Sequence, residues 1–529
     1  MLLLLPLSAA LGWSLSPVQH SISFARPLSR VRRHGPSNDC LLGNRYTAAQ
    51  TADRCSAEGV ASRCRSTPAA PSMTASSNLK GFDEFVRTNP LTDRFAVKDF
   101  HHVEFICGDA KSLAAHWCLA LGMQPVAHSN LMTGNKHYAS HVISSGSVRF
   151  VLTAPYSSSA SAKASEGTHA PSADGKHAES EWEPSTLPNP SHSADEMHAF
   201  FAKHGVSACA VGVHVEDAAV AYEQAVAAGA VSRTSPRSSP DGDCVVSEVL
   251  LYGDTVLRFV SGEAVEESSS HFLPGYVASL PRSSARTFGI ERIDHLVGNV
   301  PKLEQTRQYL ETLSGFHEFA EFTADDVGTV DSGLNSVVLA SNNENVLLPL
   351  NEPTHGSKRK SQILTYLEQH NGPGVQHIAL KTDDIFGTIR AIREMHAQGG
   401  GLELMDPPRP QYYATLRDRL GHDVLSAEQA SACESLGILA DADEQGVLLQ
   451  IFTKPVGDRS TLFFEIIQRV GCTIDPETGA ETAQVRVLAR FLPFRNESFM
   501  HGYLSLKWNM YLRLGWHGLT FPHSTCKRR

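Results

Sequence analysis

The chain has 529 residues, which is enough for two sizeable domains and additional terminal segments. Residues 81–480 carry 29 Lys and Arg against 51 Asp and Glu, a net charge of −22, and a region this acidic is a poor partner for nucleic acid. The ten cysteines include no Cys-x-x-Cys pair, which argues against a zinc site and against a disulfide framework.

The first 80 residues have the composition of a targeting segment. An apolar start, MLLLLPLSAALGWSLS, precedes a stretch that is rich in Arg and Ser and poor in acidic residues. Such a composition is typical of organelle transit peptides, and we expect a plastid protein. The alternative is translation from Met73, which predicts a cytoplasmic protein. No later apolar run is long enough to predict a transmembrane segment.

The region that follows divides into two related halves, residues 81–265 and 290–480, joined by a linker at 266–289. The first half begins with an alternating strand pattern, KDFHHVEFICGDA, and an amphipathic helical run, KSLAAHWCLALGM. The second half begins in the same way, with GIERIDHLVGNV and PKLEQTRQYLETLSGF, where Pro301 suits a first helical turn.

Each half then repeats this pattern after an interruption. Residues 207–230 and 374–400 both show an apolar strand, an acidic helix start, an amphipathic helix and a glycine exit. The repetition predicts four strand–helix–strands units, two in each half, that arose by duplication. Residues 157–195 are rich in Ser, Ala and Pro and are expected to form an extended surface loop.

Three residues of the second half, His295, His377 and Glu465, are candidate metal ligands. Two imidazoles and one carboxylate form a set that holds Fe(II) with open coordination positions. Strand alternation places each of them with apolar neighbours on one face: Ile293, His295 and Val297; Val375, His377 and Ala379; Phe463, Glu465 and Ile467. An uncompensated buried carboxylate would be costly, and a metal ion would compensate it. The alternatives are satisfied core histidines and an edge carboxylate paired with a lysine.

The first half provides an internal comparison for this metal hypothesis. His102 corresponds to His295, but Ala210 stands where His377 is expected. The stretch that parallels the Glu465 strand offers Arg258 and Phe259 and no carboxylate. The sequence therefore predicts a complete ligand set in the second half alone.

Polar and aromatic residues of the second half are expected to complete a pocket. Alternation groups Ser336 with Val338, Pro349 with Asn351, and Gln450 with Phe452, while Gln362 lies just before a helix and Gln376 faces away from His377. Amide and hydroxyl groups beside the rings of Phe452 and Phe463 suit a flat aromatic substrate with a polar end. The alternatives are a turn role for Asn351 and a sheet-edge role for Gln450.

Two long runs carry a family resemblance: SGLNSVVLASNNENVLLPLNEPTHGSKRKSQILTYLEQHNGPGVQHIALKTDDI and GILADADEQGVLLQIFTKPVGDRSTLFFEIIQRVGC. They resemble the 4-hydroxyphenylpyruvate dioxygenases of plant and algal type, and FVRTNPLTDRFAVKDFHHVEF is similar to the N-terminal opening of that family. The resemblance extends over residues 81–475. It implies an α+β fold of two vicinal-oxygen-chelate domains, each built from two βαβββ units that form an open β-barrel with helices outside.

The resemblance also implies a site and a reaction. One Fe²⁺ per chain would be held by His295, His377 and Glu465, in a pocket lined by Ser336, Asn351, Gln362, Gln376, Gln450, Phe452 and Phe463. The expected substrates are an aromatic 2-keto acid, 4-hydroxyphenylpyruvate, and O₂, and the expected products are homogentisate and CO₂. This reaction belongs to tyrosine and phenylalanine catabolism or to the supply of plastoquinone and tocopherol precursors. We also expect a homo-oligomer.

Residues 481–529 depart from the family pattern, which normally continues into a glycine-rich turn and a helix that closes the pocket. The observed segment is basic and carries two of the five tryptophans. It is either a misread 3′ end of the gene or a genuine basic amphipathic tail. Without the closing helix we expect Fe(II) binding with slow or uncoupled turnover. The alternative functions are a sibling enzyme that forms hydroxymandelate and a non-catalytic ligand-binding homologue.

Overall fold

Two mixed β-sheets with helices on their outer sides make up the described part of the chain. The computed structural model describes residues 79–470, apart from 83, 157–187, 190–191, 240–241, 267–271, 280–285, 328–332, 355–359, 423 and 444–445, together with two short strands at 473–474 and 481–482. The predicted targeting segment, most of the predicted surface loop and the basic segment after residue 482 lie outside the described residues.

The first sheet has nine strands, two of the four-strand units plus one short edge strand. Its elements in chain order are β1 (Val97–Ile106), α1 (Ala110–Leu121), β2 (Gln124–Ser129), a 3₁₀ turn (Leu131–Thr133), β3 (Tyr138–Ser145), β4 (Val148–Pro155), α2 (Ala194–His204), β5 (Ser207–Val215), α3 (Ala218–Ala227), β6 (Ser232–Ser238), β7 (Val245–Tyr252), β8 (Thr255–Ser261), α4 (Glu263–Glu266) and β9 (Val277–Ala278).

The second sheet has eight strands. Its elements are β10 (Ile290–Asn299), α5 (Leu303–Ser314), β11 (His317–Phe322), α6 (Ala324–Val327), β12 (Leu334–Ala340), β13 (Leu347–Pro353), α7 (Gln362–His370), β14 (Gly374–Thr382), α8 (Ile385–Ala397), α9 (Pro410–Ala414), α10 (Leu416–Leu420), α11 (Ala427–Leu436), β15 (Leu439–Asp443), β16 (Gly446–Phe452) and β17 (Phe463–Val470). The short strands β18 (Thr473–Ile474) and β19 (Glu481–Thr482) pair with each other.

The strand order of the two sheets is the same. The first runs β2-β3-β4-β1-β5-β8-β7-β6 with β9 beside β2, and the second runs β11-β12-β13-β10-β14-β17-β16-β15. In both, the first strand of each unit pairs with the last strand of that unit in parallel, and the two first strands meet in antiparallel fashion at the centre. The described strands leave both sheets open, and this arrangement confirms the predicted α+β fold of βαβββ units in open barrels.

Local sequence signals explain where the crossover helices begin and end. Asp109, Asp217 and Asp384 cap α1, α3 and α8, and each carboxylate accepts a hydrogen bond from a backbone N–H of the first turn. Gly122 and Gly315 end α1 and α5 in the left-handed conformation that glycine adopts without strain.

The helix after β10 begins at Leu303, so the expectation that Pro301 lies in its first turn is wrong. Gln362 is the first residue of α7 rather than the residue before it.

One hydrophobic core runs between the sheets. Phe464 of β17 lies 5.2 Å, ring centroid to centroid, from Trp117 of α1 and 5.5 Å from Phe150 of β4. These three aromatic side chains are fully buried. They fix β17, the strand of Glu465, against the first half of the chain.

The segment predicted as a linker is partly structured, because Val277–Ala278 pairs with β2 at the edge of the first sheet. At the N-terminal end, the ring of Phe82 stacks on Phe322 of β11 at 5.3 Å. The domain boundaries given above stay predictions. Among the described residues, no helix combines the length and apolar character needed to cross a membrane.

Candidate metal centre

Three neighbouring strands at the centre of the second sheet carry the predicted ligands. His295 lies on β10, His377 on β14 and Glu465 on β17. The strand registers place Ala379 opposite His295 and beside Glu465, with His377 two residues away along β14. The three side chains therefore start from adjacent strands of one sheet face.

These three side chains converge. Each offers one ligand atom, and the three atoms lie within 4.8 Å of one another. Oε2 of Glu465 is 3.2 Å from Nε2 of His295 and 3.4 Å from Nε2 of His377. The two imidazole rings are 5.7 Å apart and nearly perpendicular. Within the described part of the chain, no other group of His, Cys, Asp or Glu side chains meets this spacing.

Two of the three side chains at the convergence point are almost completely buried, and the third is slightly more exposed. The side chains of His295 and Glu465 are 1% and 4% exposed, whereas that of His377 is 12% exposed. The neighbour of Glu465 on the opposite strand face, Phe464, is held in the core between the sheets. The side of His377 is therefore the one nearest to solvent.

The charges at the centre are set by burial and by mutual contacts. Burial raises the pKa of Glu465, but the contacts with His295 and His377 outweigh it and lower this pKa to about 2, so the carboxylate is ionised. Burial lowers the pKa of His377 and the contact with Glu465 offsets this only in part, so the net shift is downward. Burial also lowers the pKa of His295, but hydrogen bonding to Asp294 and the charge of Glu465 reverse the shift and raise it.

The donor set fits a divalent metal ion. Nε2 of His295 is buried and has no hydrogen-bond partner, because its 3.2 Å contact with Glu465 lies outside hydrogen-bonding geometry. A buried nitrogen lone pair beside a second imidazole and an ionised carboxylate is the environment that a two-histidine, one-carboxylate iron site provides.

Two β-bulges change the face pattern that simple alternation predicts. Asp294 interrupts the register between Ile293 and His295, and Ile293 consequently packs in the main core with Leu296 rather than beside His295. A bulge therefore brings a charged neighbour next to His295, and the predicted common face of Ile293, His295 and Val297 is wrong.

The second bulge lies at Gln376 on β14. His377 pairs with Val297 and Val375 pairs with Gly298, so Gln376 is an extra residue on β14. Val375 packs in the main core and does not share the face of His377. Gln376 is 5% exposed, and its Oε1 accepts a hydrogen bond from Nδ1 of His377 at 3.0 Å. The expectation that Gln376 faces away from His377 is therefore wrong.

The predicted common face of Phe463, Glu465 and Ile467 agrees with the structure. Ile467 packs with Ala379, outside the main core that contains Phe464.

Sequence reasoning missed a carboxylate and a guanidinium behind His295. Oδ1 of Asp294 accepts a hydrogen bond from Nδ1 of His295 at 2.8 Å. Arg469 donates to both oxygens of the same carboxylate, at 2.7 and 2.8 Å. Asp294 is adjacent to a predicted ligand and could have been proposed from the Asp-His pair. Arg469 is 175 residues away, and no local pattern connects it to Asp294.

Five of the seven predicted pocket residues form two groups. Gln450, Phe452 and Phe463 lie around the centre, since β16 pairs Phe452 directly with Glu465 and Gln450 with Ile467. The ring of Phe463 stacks on His377 at 4.8 Å, and Phe452 lies 6.1 Å from the same imidazole. Oε1 of Gln450 is buried and unpaired.

Ser336 and Asn351 form the second group, as a cross-strand pair of β12 and β13 in which both residues are buried. Nδ2 of Asn351 donates to Oδ1 of Asn299 at 3.4 Å, and Nδ2 of Asn299 is itself buried without a partner. Asn299 was not singled out in the sequence, although it lies four residues after His295 on β10. Gln362 is half-buried on a helix, and among the described residues no hydrogen bond joins it to the other pocket candidates.

The first sheet shows the same framework with different side chains. His102 pairs with Gly212 as His295 pairs with Ala379, and Arg258 lies beside Gly212 where Glu465 lies beside Ala379. Ala210, two residues before Gly212, stands in the place of His377. The predicted loss of ligands from the first half agrees with these registers.

Comparison with protein families gives one match in the second half. Residues 292–449 match the Glyoxalase/Bleomycin resistance protein/Dioxygenase superfamily. Among solved structures, a triple mutant of 4-hydroxymandelate synthase from Streptomyces coelicolor superimposes with a TM-score of 0.56 at 23% sequence identity, covering 71% of this chain and 94% of that one. This likeness concerns the fold.

Several curated relatives share half or a third of their residues with the chain. A 4-hydroxyphenylpyruvate dioxygenase from Plectranthus scutellarioides is 51% identical over 416 residues, which is 78% of this chain and 90% of that protein. The protein of the same name from Arabidopsis thaliana is 50% identical over 76% of this chain and 86% of its own length. One from Dictyostelium discoideum is 35% identical over 70% of this chain and 92% of its own length.

Proposed function

The chain belongs to the 4-hydroxyphenylpyruvate dioxygenase family, and from this premise we propose that it converts 4-hydroxyphenylpyruvate and O₂ to homogentisate and CO₂ at an Fe(II) ion held by His295, His377 and Glu465. The observation that carries the proposal is the convergence of two imidazoles and an ionised carboxylate within 4.8 Å. An Fe(II) ion held by these three residues would supply open coordination positions for the 2-keto acid and for O₂.

The protein's part is to orient the ligands and to keep water away. Oε1 of Gln376 accepts a hydrogen bond from Nδ1 of His377. This bond orients the ring so that Nε2 points toward Glu465. Phe463 stacks on the same imidazole, and Phe452 lies opposite Glu465. These two rings give the entrance side an apolar wall, so that an aromatic substrate replaces solvent when it binds.

The polar end of the substrate needs hydrogen-bonding partners inside this apolar pocket. Ser336 and Asn351 form one pair of candidates, and the unpaired Oε1 of Gln450 is another. All three residues are buried, and a substrate hydroxyl that donates to Oε1 of Gln450 would satisfy an acceptor that has no partner among the described residues. Gln362, at the start of α7, is a further candidate for a hydrogen bond to the substrate.

The test uses the purified chain, stripped of metal and reconstituted with Fe(II). We expect one iron per chain, O₂ uptake that depends on 4-hydroxyphenylpyruvate, and homogentisate as the product identified by chromatography. The slow or uncoupled turnover expected from residues 481–529 predicts a low rate or less homogentisate than O₂ consumed. His377→Ala removes a ligand and should abolish both iron retention and O₂ uptake. His422→Ala removes a histidine that is 67% exposed and should change neither.

The outcomes separate the alternatives. O₂ uptake that is unchanged in His377→Ala contradicts the metal assignment. Hydroxymandelate as the main product identifies the sibling enzyme, and ligand binding without O₂ uptake identifies a non-catalytic homologue. Plastid localisation, the role in tyrosine catabolism or quinone supply, and assembly into a homo-oligomer stay predictions from the sequence.

A further inference from the structure

A buried arginine is connected to one ligand of the proposed iron site through a single carboxylate. Arg469 lies on β17, four residues after Glu465, and its side chain is 1% exposed. Its Nε donates to Oδ2 of Asp294 at 2.8 Å and its Nη2 donates to Oδ1 at 2.7 Å. A two-bond contact between guanidinium and carboxylate fixes the plane and the rotation of the carboxyl group as well as its position.

The carboxylate that Arg469 holds is in turn bonded to His295. Asp294 is fully buried, and its Oδ1 lies 2.8 Å from Nδ1 of His295. Because an ionised carboxylate only accepts hydrogen bonds, the proton of the neutral imidazole is placed on Nδ1 and the lone pair on Nε2. Nε2 is the nitrogen that points toward Glu465.

The strand arrangement lets the contact between Asp294 and Arg469 link the strands of two ligand candidates, His295 and Glu465. β14 lies between β10 and β17 in the sheet, so Asp294 and Arg469 join the two strands across the one that carries His377. The bulge at Asp294 makes the contact possible, because it turns a residue adjacent to His295 toward the same side. Arg469 therefore constrains His295 relative to Glu465, which shares its strand.

The first sheet, which lacks the complete ligand set, also lacks this support among its described residues. His101 stands at the bulge position of Asp294, and its Nδ1 lies 2.6 Å from Nδ1 of His102. Gly262 follows Arg258 by four residues, as Arg469 follows Glu465. The carboxylate and the guanidinium thus occur only in the sheet where the three ligand candidates converge, as far as the chain is described.

We infer that Arg469 is a positioning residue that acts through Asp294 to hold His295 in the tautomer and orientation needed for metal binding, and that it thereby sets the affinity of the site for its metal ion. This inference rests on the iron site of the proposed function. Among the described residues, the hydrogen-bond partner of Nδ1 of His377, the other imidazole, is the neutral amide of Gln376. The two histidines are therefore supported unequally, and the loss of Arg469 should weaken the His295 side alone.

The test measures metal affinity in the metal-free protein, by titrating Co(II) or Fe(II) against a chelator of known strength. Arg469→Met should weaken binding about 10- to 100-fold, the range found when outer partners of a ligating histidine are removed. Arg469→Lys keeps the charge but not the two-bond geometry and should fall between this variant and the wild type. Arg292→Met is the matched control, since Arg292 approaches the same carboxylate only to 4.0 Å and should change affinity less than twofold.

A second variant and a second measurement guard against a general loss of folding. Asp294→Asn combined with Arg469→Met removes both charges, leaves no uncompensated buried ion, and should still weaken metal binding at least tenfold. In metal-free wild-type protein labelled with ¹⁵N-histidine, the His295 signals should report protonation at Nδ1, whereas Arg469→Met should show a mixture of tautomers. Wild-type affinity in both Arg469→Lys and the double variant would overturn the inference. Failure of the wild type to bind either metal would instead overturn the proposed function.

Discussion

The guanidinium of Arg258 occupies, in the first sheet, the position that the carboxylate of Glu465 occupies in the second. Arg258 lies beside Gly212 in the register and its Nη1 is 2.9 Å from Nε2 of His102, while Glu465 lies beside Ala379 and is 3.2 Å from Nε2 of His295. A fixed positive charge stands where the second sheet has its anionic ligand candidate. The positive charge of Arg258 therefore disfavours a metal cation at this position of the first sheet, whereas the negative charge of Glu465 favours one at the same position of the second sheet.

Arg258 is also the counter-charge of two buried carboxylates, and its removal should destabilise the protein strongly. It lies 2.7 Å from Glu104 and 2.7 Å from Glu248, and all three side chains are at most 6% exposed. Arg258→Met removes the shared counter-charge of both carboxylates in a low-dielectric interior, and breaking a buried pair in this way costs about 3–5 kcal/mol. Glu104 keeps its contacts with Thr153 and His192, and Glu248 keeps its bond from Thr234, but none of these replaces the guanidinium. The free energy of unfolding in urea measures this loss.

The control for this prediction removes all three charges at once. Glu104→Gln, Glu248→Gln and Arg258→Met together leave no uncompensated ion and should be less destabilising than Arg258→Met alone. The metal content of the triple variant should stay at one ion per chain, because the ligand candidates lie in the other sheet. A free energy of unfolding for Arg258→Met within about 0.5 kcal/mol of the wild type would contradict the prediction.

The repeated framework could be predicted from the sequence because its signals are local and periodic. The alternating strand that contains His102 and the helix that follows it are recognisable within 30 residues, and their recurrence around His295 specifies four units. The capping carboxylates and exit glycines mark the helix ends in the same way. The four repeated units and the loss of ligands from the first sheet follow from these patterns, whereas the prediction of an α+β fold of two open barrels rests on the family resemblance.

The support behind the ligand candidates could not be predicted from the sequence because it depends on irregular strands and distant contacts. Strict alternation places Gln376 opposite His377, but a bulge brings the two side chains together. The same irregularity turns Asp294 toward His295, and the partner of Asp294 lies 175 residues away. A bulge inserts one residue without changing the hydrophobic pattern enough to be recognised in a single sequence.

Metal removal should lower the free energy of unfolding of the wild type, and it should have little effect in a variant that lacks the carboxylate of Glu465. An ion that binds only the folded chain adds about 2.7 kcal/mol to the free energy of unfolding when it is present at 100 times its dissociation constant. Co(II) should therefore raise the melting temperature of the metal-stripped wild type, and Glu465→Gln should abolish most of this rise because it removes the anionic ligand. Differential scanning calorimetry with and without Co(II) measures both effects.

The matched control for metal stabilisation is Glu403→Gln, which changes a carboxylate that is 52% exposed and bonded to Lys454. It should keep the full increase in melting temperature. An equal increase in the wild type and in Glu465→Gln would show that Co(II) binds elsewhere.

Stability at mildly acidic pH should depend on His370, which is buried at the end of α7 against His204 of α2. Burial, and then the charge of His204 stacked 4.2 Å away, lower the pKa of His370 from 6.5 to about 4. The unfolded chain therefore binds more protons than the folded chain between pH 4 and 6.5, so stability falls as the pH decreases through this window. At pH 5 the contribution of this histidine to the loss is about 2 kcal/mol, and above pH 7 it vanishes.

The measurement is the free energy of unfolding in urea at pH 7.5 and at pH 5. His370→Gln should show a smaller difference between the two pH values than the wild type, even if its stability at pH 7.5 is lower because the hydrogen bond from Ser207 changes. His422→Gln alters an exposed histidine and should keep the wild-type difference. Identical pH dependence in His370→Gln and the wild type would argue that other groups determine acid stability.

The amide of Asn351 should contribute to substrate affinity rather than to the fold. Asn351 is buried opposite Ser336, and its Nδ2 makes a long 3.4 Å bond to Asn299, whose own Nδ2 lacks a partner. Two buried amides that do not satisfy each other leave hydrogen-bonding capacity for a ligand. Asn351→Leu keeps the side-chain volume and removes this capacity, so we expect the KM for 4-hydroxyphenylpyruvate to rise about tenfold with a smaller change in kcat.

A neighbouring asparagine separates this effect from a general disturbance of the strands. Asn335 precedes Ser336 on β12, and its Nδ2 donates to Glu352, so its amide already has a partner within the strand pair. Asn335→Leu should leave KM within about twofold of the wild type even where it lowers thermal stability, because alternation places its side chain on the other face of the sheet. If both variants raised KM equally, the amide of Asn351 would have no specific part in substrate binding, and the pocket would have to be sought around Gln450 and Phe452.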